Sequence, residues 1–136
     1  MTPDPPADAH VVHFAVGYCW KDEDHFCRIR LVGDTDKHMG VDEMKELCNA
    51  AYDVCEGKPH LHLIDARNVF GSVRPGAREE LRKNEKMNTC RRAAAIIVNS
   101  LANKLIMTFF VQFNKPPYPY RVFENPDEAV SWLKTL

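Results

Sequence analysis

The residues with the most evident chemical potential lie in one run, "HLHLIDARNV" at 60–69, which carries His60, His62, Asp65 and Arg67. In an extended strand, side chains two residues apart share a face, so His60 and His62 could both address one metal ion. A catalytic zinc, however, takes about three protein ligands. His10, His13, His25 and His38 are remote in sequence, and there is no H-E-x-x-H helix pair. The run reads better as a strand whose histidines are partly exposed polar residues near its entrance. Neither histidine is expected to ligate metal, and no cofactor is expected. Asp65 stands at the strand's carboxyl end, where α/β sheets place ligands, and Arg67 follows on the same face. The pair could bind a small polar ligand, with Ser72 nearby, or it could tie down the following loop. Asp65, Arg67 and Ser72 are therefore the candidate ligand-binding residues.

The thiols are the second chemical resource. Cys19, Cys27, Cys48, Cys55 and Cys90 are odd in number, and no two have C-x-x-C spacing. That argues against a disulfide framework, a zinc ribbon or a thioredoxin-type motif. The expected role is that of small core hydrophobes in a reducing cytoplasm. No Gly-rich phosphate loop, G-x-S-x-G or Ser-His-Asp signature is present. No catalytic residue is assigned, and the chain is expected not to be an enzyme.

Composition narrows the partners. Eighteen lysines and arginines nearly balance 19 acids over 136 residues, so no global field favours nucleic acid or an anionic membrane. The basic stretches "CRR" (90–92) and "REELRKNEK" (78–86) read as solvated faces, because Glu79, Glu80 and Glu85 sit at ion-pair spacings. No apolar run approaches the roughly 20 residues that a membrane helix needs. "MTPDPPADA" (1–9) has no basic start or apolar core and reads as a disordered tail before a domain at 10–136.

The positioning elements follow from periodicity. Stretches 10–20 and 26–32 are rich in β-branched and aromatic residues around "KDEDH", which predicts a hairpin with Trp20 opposite Phe26, Cys19 opposite Cys27 and Tyr18 opposite Arg28. Residues 41–57 repeat with helical period through Val41, Met44, Leu47, Cys48, Ala51 and Cys55, and Gly57 and Pro59 stop the repeat. After the 60–65 strand comes a charged helix at 75–87 with a thin stripe of Ala77, Leu81 and Met87. An apolar strand at 91–99, an apolar helix at 100–114 capped by Ser100, and a short strand within 115–123 come next. Asn125, Pro126 and Glu128 announce a last helix. Strands alternating with helices predict a single α/β domain, with a mixed, mostly parallel sheet, an amino-terminal hairpin and about four helices.

This order, with "IDARNV" and "NPDEAVSWL", resembles the SpoIIAA-like, or STAS-like, domain family. Anti-sigma-factor antagonists use that fold, and lipid-binding CRAL-TRIO domains are related in architecture. "AAIIVNS", "FFVQFNKPPYP" and "EAVSWL" are similar to the endings of bacterial STAS-like proteins without assigned function. In phosphorylated antagonists an Asp-Ser-(Ser/Thr)-Gly-like motif opens the helix after this strand. Val73, Arg74, Pro75 and Gly76 stand there in this chain, and Ser72 lies off register, so the resemblance implies a member without the phosphoacceptor motif.

Surplus apolar residues suggest a partner. At 100° per residue, Leu101, Ala102, Leu105, Ile106, Phe109 and Phe113 make a core stripe, which leaves Met107, Phe110 and Val111 on the other side. Val12, Phe14, Val16, Tyr18 and Trp20 alternate onto one strand face. The expected function is a regulatory or protein-interaction module, homodimeric through Met107, Phe110 and Val111, with a further protein partner allowed. The alternative is a small-molecule or lipid-binding domain, or a small enzyme, using Asp65, Arg67 and the nearby histidines.

Overall fold

Gly17 shapes the amino-terminal region. In the computed structural model, which describes residues 4–32, 39–67, 74–105 and 115–136, β1 (Val12–Phe14) turns directly into β2 (Gly17–Lys21), and β2 pairs antiparallel with β3 (Cys27–Leu31). A Cβ at residue 17 would lie 2.1 Å from the Arg30 carbonyl oxygen, so a side chain there would force β2 and β3 apart. The single strand expected over 10–20 is thus two. Val12, Phe14 and Val16 pack with the helix-side core, while Tyr18 and Trp20 belong to the other face of the sheet. The expected five-residue apolar face does not form.

The hairpin register also differs from expectation. Trp20 stands opposite Arg28, Cys19 opposite Ile29 and Tyr18 opposite Arg30. The Asp22 carboxylate causes the slip by gathering the loop, accepting from the backbone N–H groups of Asp24 and Phe26 at 2.9 Å each. Phe26 leaves the ladder and is buried with Leu63. The slip is by two residues, so every side chain keeps its face.

Next come α1 (Val41–Val54), β4 (His60–Asp65), α2 (Pro75–Lys83), α3 (Glu85–Cys90), β5 (Arg91–Ile97), β6 (Tyr120–Phe123) and α4 (Pro126–Leu133). The strands lie in the order β1-β2-β3-β4-β5-β6. The β3–β4, β4–β5 and β5–β6 pairings are parallel. The sheet is therefore mixed and mostly parallel, with its antiparallel part at the amino-terminal edge.

Glu43 accepts from the Gly40 N–H to start α1, and Gly57, at φ +70°, ends its last turn beside Tyr52. The charged helix expected over 75–87 breaks at Asn84, whose side chain caps α3 by accepting from the Met87 N–H. That break turns Met87 and Cys90 fully inward. Asn125 caps α4 by accepting from the Asp127 and Glu128 N–H groups.

Two cores result. The α1–α3 side buries Cys19, Cys27, Ile29, Met44, Cys48 and Ile64, and the α4 side buries Phe26, Leu63, Ala95, Ile97, Phe123 and Leu133. Residues 101–105 are helical, with Ser100 Oγ accepting from the Asn103 N–H. Leu101 and Leu105, expected in a core stripe, are 61% and 63% exposed. Over 101–105 the expected stripe is thus not buried, because a wheel drawn from sequence cannot say which face a neighbour covers. Met107, Phe110 and Val111 lie outside the described residues.

Candidate functional site on the two faces of β4

His62 and Asp65 are three residues apart on β4, so alternation sends their side chains to opposite faces. The candidate residues accordingly separate into two groups that cannot share one reaction centre. The period-2 alternation of a strand carries this separation in the sequence itself.

On the α4-side face, the Asp65 carboxylate is 8% exposed and tightly held. It accepts from the Arg67 backbone N–H at 3.1 Å, from Arg67 Nε at 3.0 Å and from an Arg67 terminal nitrogen at 2.8 Å. Arg30 Nε stands 3.8 Å from the same carboxylate. The carboxylate raises the Arg67 pKa through these hydrogen bonds. Asn99 donates to the Arg67 carbonyl oxygen at 2.9 Å, which joins the ends of β4 and β5. The structure brings Asp65 and Arg67 together as a pair at the carboxyl end of β4. Ser72, the third candidate, lies outside the described residues.

Arg30, missed in the sequence, organises its surroundings. It donates to the Tyr18 hydroxyl at 3.0 Å and pairs with Asp4. Its guanidinium lies over the Tyr18 and Trp20 rings, 5.7 and 5.4 Å from their centroids. The cavity bounded by Trp20, Arg28, Arg30, Leu63 and Asp65 is about 10 Å³, barely room for one water. The β3–β4 register that opposes Arg30 to Asp65 carries this cluster, and register across a helical crossover is not written locally in sequence.

The helix side is a different kind of site. His60 is half-buried at the strand entrance, with Nδ1 2.7 Å from the Lys58 carbonyl oxygen. His62, expected to be partly exposed, is 0% exposed. Arg91 Nε donates to its Nδ1 at 2.9 Å, and its Nε2 lies 2.8 Å from the Cys90 carbonyl oxygen. A guanidinium can only donate, so Nδ1 accepts and Nε2 carries the proton. Burial first, then the neighbouring Arg91 charge, pushes the His62 pKa well below its usual value, so the ring is neutral.

Arg91, expected on a solvated face, is itself 5% exposed. It also donates to the Tyr118 hydroxyl at 3.1 Å and lies over that ring. The register shift between His60 and Leu61 accompanies this arrangement, because Arg91 opposite His60 is followed by Ala93 opposite Leu61. Arg92 is the residue left over, and it is exposed.

All five cysteines are buried and unpaired. Cys27 stands opposite His62 across the β3–β4 ladder, and Cys55 caps α1 above it. Sγ of Cys27, Sγ of Cys55 and a ring nitrogen of His62 lie within 4.8 Å of one another. Cys55 is raised to about 12, first by its hydrogen bond with Cys27, and burial raises Cys19 and Cys48 to about 12. These are protonated, unreactive thiols at neutral pH. The sequence showed no spacing motif because the cluster draws on β3, the carboxyl cap of α1 and β4, with Cys27 far from the other two along the chain.

Residues 29–136 match the model of a family described as a domain of unknown function, DUF7793. The chain belongs to the DUF7793 family. This DUF7793 chain is similar in structure to an uncharacterized protein of the DUF3478 family from Shewanella loihica PV-4, which has a SpoIIAA-like fold. The identity is 16%, 98% of each chain is covered, and the TM-score is 0.57. That likeness shows a SpoIIAA-like fold. A protein of unknown function from Arthrobacter sp. FB24 is 17% identical over 92% of this chain and 98% of its own, with a TM-score of 0.31. No curated protein matches the sequence. Among the described residues of this DUF7793 chain, no helix is long and apolar enough to cross a membrane.

Proposed function

We propose that this chain is a non-enzymatic regulatory or protein-interaction module that works as a homodimer and lacks the phosphoacceptor switch of anti-sigma-factor antagonists. One observation carries the reading. Leu101 and Leu105, one turn apart on the same helix face, are 61% and 63% exposed at the carboxyl end of β5. Two large apolar side chains on one turn gain from being covered, by roughly 1.5–3 kcal/mol for each side chain fully buried. A two-fold contact counts that gain twice. The separation of His62 from Asp65 onto opposite faces, and the engagement of Asp65 by Arg67, support the absence of catalysis. A second copy of the chain is the occupant proposed.

Light scattering tests it. The wild type is expected to be a dimer at micromolar concentration, and Leu101→Glu/Leu105→Glu a folded monomer. The helical wheel puts Met107, Phe110 and Val111 on the side opposite the two leucines, so Phe110→Asp tells which side makes the contact. A wild type that stays monomeric at high micromolar concentration refutes the dimer.

A further inference from the structure

The thiol layer behind β4 has a property that the contact surface does not use. Cys55 Sγ lies within 4.8 Å of Cys27 Sγ and 3.6 Å from His62 Nε2, and Arg91, a buried cation, donates to the other nitrogen of the same ring. Among the described residues, the partners of Arg91 are His62, Tyr118 and thiols, with no carboxylate. A buried guanidinium of this kind wants a neighbouring anion.

We propose that Cys27 and Cys55 bind one soft monovalent cation of the Cu(I) class as a thiolate pair, with Arg91 as the built-in counter-charge. Ligand softness selects the cation, since thiolates favour soft metal ions. The His62 ring decides against a four-coordinate cysteine–histidine zinc site. Its Nδ1 lone pair already accepts from Arg91, and its Nε2 carries the proton shared with the Cys90 carbonyl oxygen. A metal at Nε2 would break both bonds. His62 instead holds the Cys90 backbone in place.

Charge closes the argument. Two thiolates around a monovalent cation carry a net −1, which Arg91 neutralises. The step is balanced: the cation enters, two S–H bonds break, two metal–sulfur bonds form, and two protons leave to solvent. No oxidant or reductant is needed.

The test uses the full chain, reduced and anaerobic. Cu(I) is titrated in competition with a chromophoric chelator, and Ag(I), which is redox-silent, is read by native mass spectrometry. One equivalent is expected in the folded wild type, with two protons released. Cys55→Ala should lose it, and Cys48→Ala, two turns back along α1, should keep it. If Cys55→Ala does not fold by circular dichroism, Cys27→Ser replaces it: loss of binding in a folded protein supports the site, and retention overturns it. The proposal also fails if the folded wild type retains no cation. It fails as well if several cations bind only as the protein unfolds, since that is the behaviour of unorganised thiols.

Discussion

The two faces of β4 bury their side chains by different rules. Toward α4 the strand presents Leu63 to Phe26, Ala95, Ile97 and Leu133, a layer of hydrocarbon. Toward α1 and α3 it presents His62 to Arg91, to the Cys90 carbonyl and to the thiols of Cys27 and Cys55. A hydrocarbon layer needs volume and little else. A buried polar layer needs each named partner, and removing one strands the others. Truncations on the first face should therefore cost in proportion to the atoms removed, whereas those on the second should be strongly coupled.

The largest effect is expected from Leu63→Ala. Leu63 is 2% exposed, and the change should cost roughly 2–5 kcal/mol in urea unfolding. A loss under about 1 kcal/mol would mean that the α4 layer collapses freely around the vacancy and packs less specifically than described.

Arg91→Met comes next. It keeps an apolar stem but strands His62 Nδ1 and the Tyr118 hydroxyl, at roughly 1–3 kcal/mol. His62→Leu in the same background should recover part of the loss, with a coupling of about 0.5–3 kcal/mol. Strict additivity of the two changes would erase the distinction between the faces.

Acid sharpens the comparison further. Unfolded His62 takes up its proton near the ordinary histidine value of about 6.5, while the folded residue, desolvated and beside Arg91, does so only well below it. Between those limits the unfolded state binds the extra proton. Stability is therefore lost as pH falls below about 6.5, at about 1.4 kcal/mol per pH unit from this group. Above about pH 7 it contributes no slope. His62→Leu should flatten that part of the stability–pH curve, and an unchanged curve would show that His62 does not titrate as its burial implies.

Two smaller effects mark the edges of the comparison. Asn125→Ala removes the α4 cap and should cost about 1 kcal/mol by thermal unfolding. His60→Ala, at the half-buried strand entrance, should stay within about 0.5 kcal/mol of wild type. A large His60 effect would extend the polar network to the strand entrance.

Local chemistry fixed a good part of this molecule. Asn125 with Pro126, Gly57 after the α1 stripe, and the alternation of strands with helices led to the element order and the SpoIIAA-like fold, because caps, turns and periodicity act over a few residues. The pairing of Asp65 with Arg67 was legible for the same reason. Tertiary structure decided the rest. Gly17 interrupts the first strand only because the Arg30 carbonyl from another strand comes close to it. Leu101 and Leu105 stand exposed because burial depends on what packs against a helix face, and not on the helix's own period. Arg91 and His62 are buried only because β4 and β5 lie side by side beneath α1 and α3, and the thiols meet there through strand register. Whether a charged or polar side chain ends in water or in the core depends on partners remote along the chain, and a sequence read locally does not bring those partners together.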